Sequence, residues 1–234
     1  DMPCPCSGPR QSDGLSVSSK SVHPWRWIFT MNASVLYKKL ISDISSLMKT
    51  EGFSRKGNRF CYQSGNNWGL LDFQKSRDST VDQVIFTINI GTCSGRLLEF
   101  FLPDLSKQKP TISICHWRER IGFLLPFRQD KWWSIQTNDL IDPLTDQIRD
   151  LIVQNVIPSI KQHITDHQLC SKWLSGKSPG LTDIQRLLNL CILLKMEEMY
   201  NAFHEVLKEL DDKSTGRPVE IMIRRYLKKL EQIG

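Results

Sequence analysis

The chain has 234 residues, with 31 lysines and arginines against 25 aspartates and glutamates, a net charge of +6 and 40% hydrophobic residues. This is one or two domains of ordinary globular composition, with enough apolar side chains for a core. The basic surplus is spread along the chain with no basic block, which argues against nucleic acid as the partner, and the longest apolar runs, such as Leu187 to Leu194, are too short to span a bilayer.

Residues 1–30 are rich in Ser, Pro and Gly and lack helical or strand period, so they read as a disordered or non-native leader with a true start at Met31. No positively charged start leads into an apolar signal core. Cys4-Pro-Cys6 hints at a zinc ligand pair, but only His23 lies nearby and a zinc site needs about four ligands. The seven cysteines are an odd number, and five of them, Cys61, Cys93, Cys115, Cys170 and Cys191, sit inside apolar runs. Buried, reduced thiols in a soluble cytoplasmic protein are the expectation, and a disulfide framework is not.

Val35, Leu36, Leu40, Ile44, Leu47 and Met48 recur at helical spacing and predict a helix over 33–51, capped by Ser34 and ended by Gly52. Phe53 and Phe60 then bracket a basic turn carrying Arg55, Lys56 and Arg59. Three strands follow, Arg59 to Gln63, Trp68 to Lys75 and Val84 to Gly91; short connections make them an antiparallel meander. Alternation puts Leu71, Phe73 and Lys75 on one face with Phe86, Ile88 and Ile90, and Asp72, Gln74, Thr87 and Asn89 on the other. Residues 92–110 read as a connection containing the apolar run Leu97 to Leu102. Residues 111–125 read as a fourth strand or strand pair, with Arg118 and Arg120 on one side, either at the solvent edge or paired with Asp72 or Glu99. Lys131 to Ile135 is a fifth short strand.

Asp139 to His167 is mainly helical, capped by Asp139 or Asp142, with Pro143 in the first turn and a kink or division at Pro158. Leu169 to Leu174 adds a turn of helix, and Gly176 to Gly180 is the expected domain boundary. Thr182 and Gln185 have capping-box spacing, and helices over Ile184 to Ile192, Met196 to Leu210 and Pro218 to Ile233 complete the chain. The expected fold is α+β: an N-terminal helix, an antiparallel meander of about five strands, a long helix packed on the sheet, then a helical hairpin and a closing helix. The α+β domain spans 31–175 and the helical extension 181–234.

Five segments in order, Phe53-x-Arg55-Lys56-Gly57-x-x-Phe60, Phe73-Gln74-Lys75-Ser76, Phe86-x-x-Asn89-x-Gly91, Arg120-Ile121-Gly122-x-Leu124 and Trp132-Trp133, resemble an uncharacterised, mostly bacterial family, number 4304 in the domain-of-unknown-function series, over roughly residues 33–174. The resemblance implies a compact α+β domain and no established activity. Some domains of this general kind occur near toxin systems as immunity-like proteins, an association that carries no mechanism.

No hydrolase elbow, Walker loop, dinucleotide fingerprint or zinc helix motif is present. Gly91-Thr92-Cys93-Ser94-Gly95 lacks the lysine and the following helix that phosphate cradling needs. Cys115 and His116 are adjacent on a strand and point apart. His163 and His167 are four apart on one helix and share a face without a third metal ligand. No metal or cofactor is therefore expected. The candidate site gathers Gln74, Lys75, Ser76, Asn89, Arg118 and Arg120 with Trp132 and Trp133, and adds Arg55 and Lys56 from the basic turn. One reading is a non-enzymatic protein-binding module, of the immunity or antitoxin kind, using an Arg- and Trp-bearing sheet face. The other is a small enzyme or a nucleotide- or phosphate-binding protein using Lys75, Arg118 and Arg120. Convergence of those three cations in a concave pocket would favour the second reading; a flat surface, or internal pairing, would favour the first.

Overall fold

The computed structural model describes residues 31–232, so Cys4, Cys6, His23 and the rest of the leader lie outside the described residues. The first helix, α1 (Ala33–Thr50), buries Leu36, Tyr37, Leu40, Ile41, Ile44 and Met48 along one stripe. Its cap is Asn32 and not Ser34: the Asn32 side chain accepts from the Val35 amide at 2.9 Å, which places Ser34 inside the helix. Gly52 follows the helix at φ +83°.

The sheet has strands β1 (Ser54–Lys56), β2 (Arg59–Ser64), β3 (Asn67–Lys75), β4 (Gln83–Cys93), β5 (Trp117–Arg120) and β6 (Trp133–Gln136). All pairs are antiparallel, in the order β1-β2-β3-β4-β5, and β6 also pairs with β4. The basic turn expected after α1 is thus a short hairpin, with Arg55 opposite Phe60 and Lys56 opposite Arg59. On the far edge, β5 pairs with Asn89–Thr92 and β6 with Gln83–Phe86 of the same strand. β5 and β6 are therefore one edge strand, interrupted by an excursion over residues 121–132.

Only four residues of the expected strand over 111–125 pair with the sheet. Ile112–Ile114 and Ile121–Leu124 are 3-10 turns. The apolar run Leu97 to Leu102, read as a connection, is mostly a helix, α2 (Gly95–Phe101), followed by the short α3 (Pro103–Ser106). Its seven-residue length hides the helical period, and Ser94 caps it. The Gly91–Gly95 loop is thus followed by a helix after all, but the Ser94 and Gly95 amides already donate to His116 Nδ1 (3.0 Å) and Asn67 Oδ1 (2.9 Å).

The long helix comes in three pieces: α4 (Ile141–Leu151), a wider π-helical turn (Ile152–Val156) and α5 (Ile157–Gln162). Pro158, which lacks an N–H, sits in the first turn of α5 directly after the wide turn, as a dividing proline should. Neither expected aspartate caps α4. Asp139 accepts from the Gln136 amide at 2.7 Å and so closes the turn after β6; Asp142 pairs with Lys39 at 2.6 Å. α6 (Asp166–Leu174) begins afresh behind a Thr165/Gln168 capping box. That break puts His163 and His167 on separate segments, the first buried and the second exposed.

Helices α7 (Asp183–Met196), α8 (Tyr200–Ser214) and α9 (Glu220–Glu231) follow. Thr182 and Gln185 form the expected capping box on α7. α7 runs on to Met196, so α8 starts only after the left-handed turn at Glu198 (φ +58°).

The described residues form a single unit, and one apolar core runs from Ala33 to Leu230. On the sheet, this core takes the face bearing Phe60, Leu71, Phe73, Phe86, Ile88, Ile90, Trp117, Trp133 and Ile135. Each fully buried side chain of this size contributes about 1.5–3 kcal/mol, so the apolar period of β3 and β4 decides which face the helices cover. The opposite face is covered over only part of its area, where Cys61, Leu70, Cys93, Leu98 and Cys115 pack beneath α2 and the first 3-10 turn. Among the described residues no helix is long and apolar enough to cross a membrane.

Candidate functional site

Strand register builds a row of polar side chains across the part of that opposite face which α2 leaves open. Lys56 stands opposite Arg59, Arg59 opposite Asp72, Asp72 opposite Asn89, and Asn89 opposite Arg120. Directly opposed residues of antiparallel strands share a face, and at about 4.8 Å per strand the row is about 19 Å long. Gln74 and Thr87 form the next pair along. Some of these groups find hydrogen-bond partners in the row or beside it, while the buried Arg59 Nε has none. Asn89 Nδ2 donates to Gln74 Oε1 at 2.7 Å, and Thr87 Oγ1 donates to the Lys131 carbonyl at 2.7 Å. Arg59 Nε lies 3.5 Å from Asp72 Oδ1. Half-burial raises the Asp72 carboxyl above its usual range, with Arg59 opposing the shift.

At the end of the row the 121–132 excursion brings up an aspartate and a tryptophan. Arg120 Nη1 donates to Asp130 Oδ2 at 2.5 Å, and the Trp132 indole donates to the same oxygen at 3.0 Å. The shared acceptor holds the guanidinium carbon 5.2 Å from the Trp132 ring centroid, within cation–π range. The excursion itself is tightly closed. A Cβ on Gly122 would lie 1.9 Å from the Gln129 carbonyl oxygen and 2.7 Å from the Lys131 nitrogen, so only glycine fits there.

Of the expected site residues, Gln74, Asn89, Arg120, Trp132 and Lys56 come together on this face. The others do not. Lys75 points to the helical face, its ammonium 4.5 Å from the Tyr37 ring centroid; burial, then neighbouring Lys38, lowers its pKa. Ser76 closes its own turn by bonding Asp78. Trp133 is core, stacked on Phe86 at 5.6 Å. Arg55 turns back to the Gly57 carbonyl at 2.8 Å. Arg118 shares the face of Arg120 but donates from Nε (3.0 Å) and Nη2 (2.7 Å) to the Gly180 carbonyl and from Nη1 to that of Ser113. It ties the turn before α7 to the sheet. Neither arginine pairs with Asp72 or Glu99: the partners are main-chain carbonyls and Asp130.

Cys115 and His116 precede β5 rather than lying on it, and both side chains approach Cys93. His116 Nδ1 accepts from the Ser94 amide and lies 3.5 Å from Cys93 Sγ. Burial lowers its pKa to about 4, with Asp166 opposing and Arg118 assisting, so the ring is neutral. Among the described residues no cluster of histidine, cysteine and carboxylate could hold a metal ion, and Cys61, Cys93, Cys115, Cys170 and Cys191 are free and buried.

The family model for the domain of unknown function DUF4304 matches residues 44–162. The chain belongs to the DUF4304 family. The match runs from within α1 to the end of α5 and so contains the whole sheet, the polar row and the excursion, while α6 to α9 lie beyond it. No curated protein and no solved structure matches the chain. Within this DUF4304 domain, sequence reasoning read Arg59 as part of a basic turn and the start of a strand, and Asp130 as the end of a turn, and placed neither in the candidate site. Arg59 becomes legible once β1 pairs in register with β2. Asp130 lies two residues before Trp132, a spacing that lets a carboxylate meet the indole N–H, but its pairing with Arg120 spans ten residues of irregular chain.

Proposed function

We propose that this protein is a non-enzymatic protein-binding module, and that the open half of its sheet is the docking face. The observation that carries this reading is the Arg120–Asp130–Trp132 arrangement at the end of the Lys56–Arg59–Asp72–Asn89–Arg120 row. Arginine and tryptophan are the residues that most often dominate binding energy, and here one carboxylate holds both before any partner arrives. The side chains of the row and of the Arg120 cluster include no histidine or cysteine, so nothing in the row pairs a nucleophile with a base; the Cys93–His116 contact on the covered part of this face is buried.

Lys56, Arg59 and Arg120 outnumber Asp72 and Asp130, so the complementary surface carries carboxylates facing the ends of the row and an apolar group facing Trp132. The dispersal of Lys75, Arg118 and Arg120 weighs against a phosphate pocket built from those three. On family resemblance alone, such a module would act as an immunity- or antitoxin-like factor. Five free, buried thiols fit a reducing, cytoplasmic compartment.

The test is a photo-crosslinking residue placed at Gln74 on the open face, or at Lys38 on α1, in the full chain expressed in its source cells. A discrete adduct at Gln74, absent at Lys38 and lost on adding Arg120→Glu, is expected. Equal adducts from both positions, or an adduct indifferent to Arg120→Glu, would overturn the assignment.

A further inference from the structure

The other side of β5 opens on a cavity of about 600 Å³, lined by Trp117, Glu119, Phe123, Leu124, Arg128, Ser159, Gln162, His163, Lys172 and Lys177 to Pro179. We propose that it is a binding site for a small organic dianion, specifically a phosphate monoester carrying an apolar body. The proposal is independent of the docking face, which lies on the opposite side of the sheet.

The charge balance points to a dianion. Arg128, Lys172 and Lys177 come from the excursion, from α6 and from the following turn, and face the cavity with one carboxylate, Glu119. Arg128 Nη2 lies 3.9 Å from Glu119 Oε1. Among the described residues neither Lys172 nor Lys177 has a carboxylate within ion-pair distance, so with Glu119 ionised the cavity carries two uncompensated positive charges. A phosphate monoester, with its second ionisation near pH 6, supplies two negative charges in one compact head and acceptor oxygens for donors arriving from several directions.

The walls supply the rest. Phe123, 39% exposed, and half-buried Leu124 offer an apolar side. The floor is the Trp117–His163 stack, 4.2 Å between centroids and 6° from parallel. The Trp117 indole N–H is buried without a hydrogen-bond partner. His163 Nδ1 donates to the Ser159 carbonyl at 2.8 Å, which fixes the ring.

Three departures from regular backbone meet around this cavity. The edge strand is interrupted beside it; Arg128 adopts a left-handed φ of +46°, unusual for a side chain of its size; and the π-helical turn 152–156 leads directly into the α5 residues that line it. Such features persist where surrounding structure holds them in place, and they gather at ligand sites. The cavity also encloses a half-buried carboxyl and a buried imidazole, the combination that marks a binding site over a structural cleft.

The test is calorimetric titration of the full chain with phenyl phosphate, with phenol, inorganic phosphate and succinate as comparison probes. Phenyl phosphate should bind, phenol should not, and inorganic phosphate should bind more weakly because it lacks the apolar body. Lys172→Ala and Arg128→Ala should each weaken phenyl phosphate about tenfold, equivalent to about 1.4 kcal/mol. Arg128 is exposed and Lys172 half-buried, and neither belongs to the apolar core, so both variants should fold; Arg55→Ala, on the far hairpin, should change nothing. Absence of phenyl phosphate binding, binding unaffected by Lys172→Ala and Arg128→Ala, or tighter binding of succinate would each overturn the assignment.

Discussion

Trp117 and Glu119 leave β5 on the helical side of the sheet, Arg118 and Arg120 on the other, and the two pairs meet different surroundings. On the open side each cation is already matched: Arg118 by main-chain carbonyls, Arg120 by Asp130. On the helical side a carboxylate, Glu119, stands among more cations than it can match, and burial raises its pKa even though Arg128 and Lys172 oppose the shift. An open, amphipathic sheet face suits a large partner that displaces water over many weak contacts. An unmatched, concave one suits a small ligand that brings the missing charge. On the two proposals above, the four residues of β5 separate two kinds of recognition by the thickness of one sheet.

The sharpest way to break this comparison uses the adjacent tryptophans. Trp133 is 6% exposed and stacked in the core, whereas Trp132 lies on the open face. Trp133→Ala should cost about 3–5 kcal/mol in urea unfolding. Trp132→Ala should cost less, about 1–2 kcal/mol, since the half-buried ring loses chiefly a cation–π contact and one hydrogen bond. Equal costs would mean that the open face is part of the core.

Acid should expose the buried imidazole beneath the same strand. The unfolded His116 ring titrates near 6.5 and the folded ring near about 4, so the unfolded chain binds the extra proton first. The stability concerned is fully present above pH 6.5 and is lost as pH falls from there towards 4, by about 3 kcal/mol in all. His116→Gln, which keeps an acceptor for the Ser94 amide, should flatten that part of the stability–pH curve. An unchanged slope would place the proton elsewhere.

Gly122→Ala probes the excursion that feeds both sides of β5. With a main-chain oxygen 1.9 Å from the new Cβ, the backbone must shift, at about 1–3 kcal/mol. The displaced Asp130 and Trp132 should also change the indole fluorescence. The smallest effect is expected from a double-mutant cycle on Arg120 and Asp130. Both side chains are more than a third exposed, so solvent screening should hold the coupling to about 0.2–1 kcal/mol of stability.

Much of the fold was legible because period decides it. The alternation of β3 and β4 named both faces, the spacing of α1 named its buried stripe, and Thr182 and Gln185 announced α7. What stayed hidden was short or depended on distant contacts. α2 is too short to show its period, β1 is three residues long, and the run 111–125 alternates like a strand although the chain leaves the sheet at Ile121. The polar row was legible in its central members, Asp72, Gln74, Thr87 and Asn89, since these alternate with apolar neighbours. Its clasp was not, because Asp130 reaches Arg120 only through an irregular loop. The cavity was hidden for a related reason: its lining comes from five separated stretches, and attention to the two arginines of β5 passed over Glu119 between them.

The separation of the two surfaces can be read most directly from the indole N–H signals of the full chain labelled with nitrogen-15 at tryptophan, recorded while phenyl phosphate is added. The account predicts that the Trp117 signal moves with saturation and that the Trp132 signal stays in place. Movement of Trp132 with Trp117 unmoved would put the anion on the open face and contradict the division of β5 into two recognition sides.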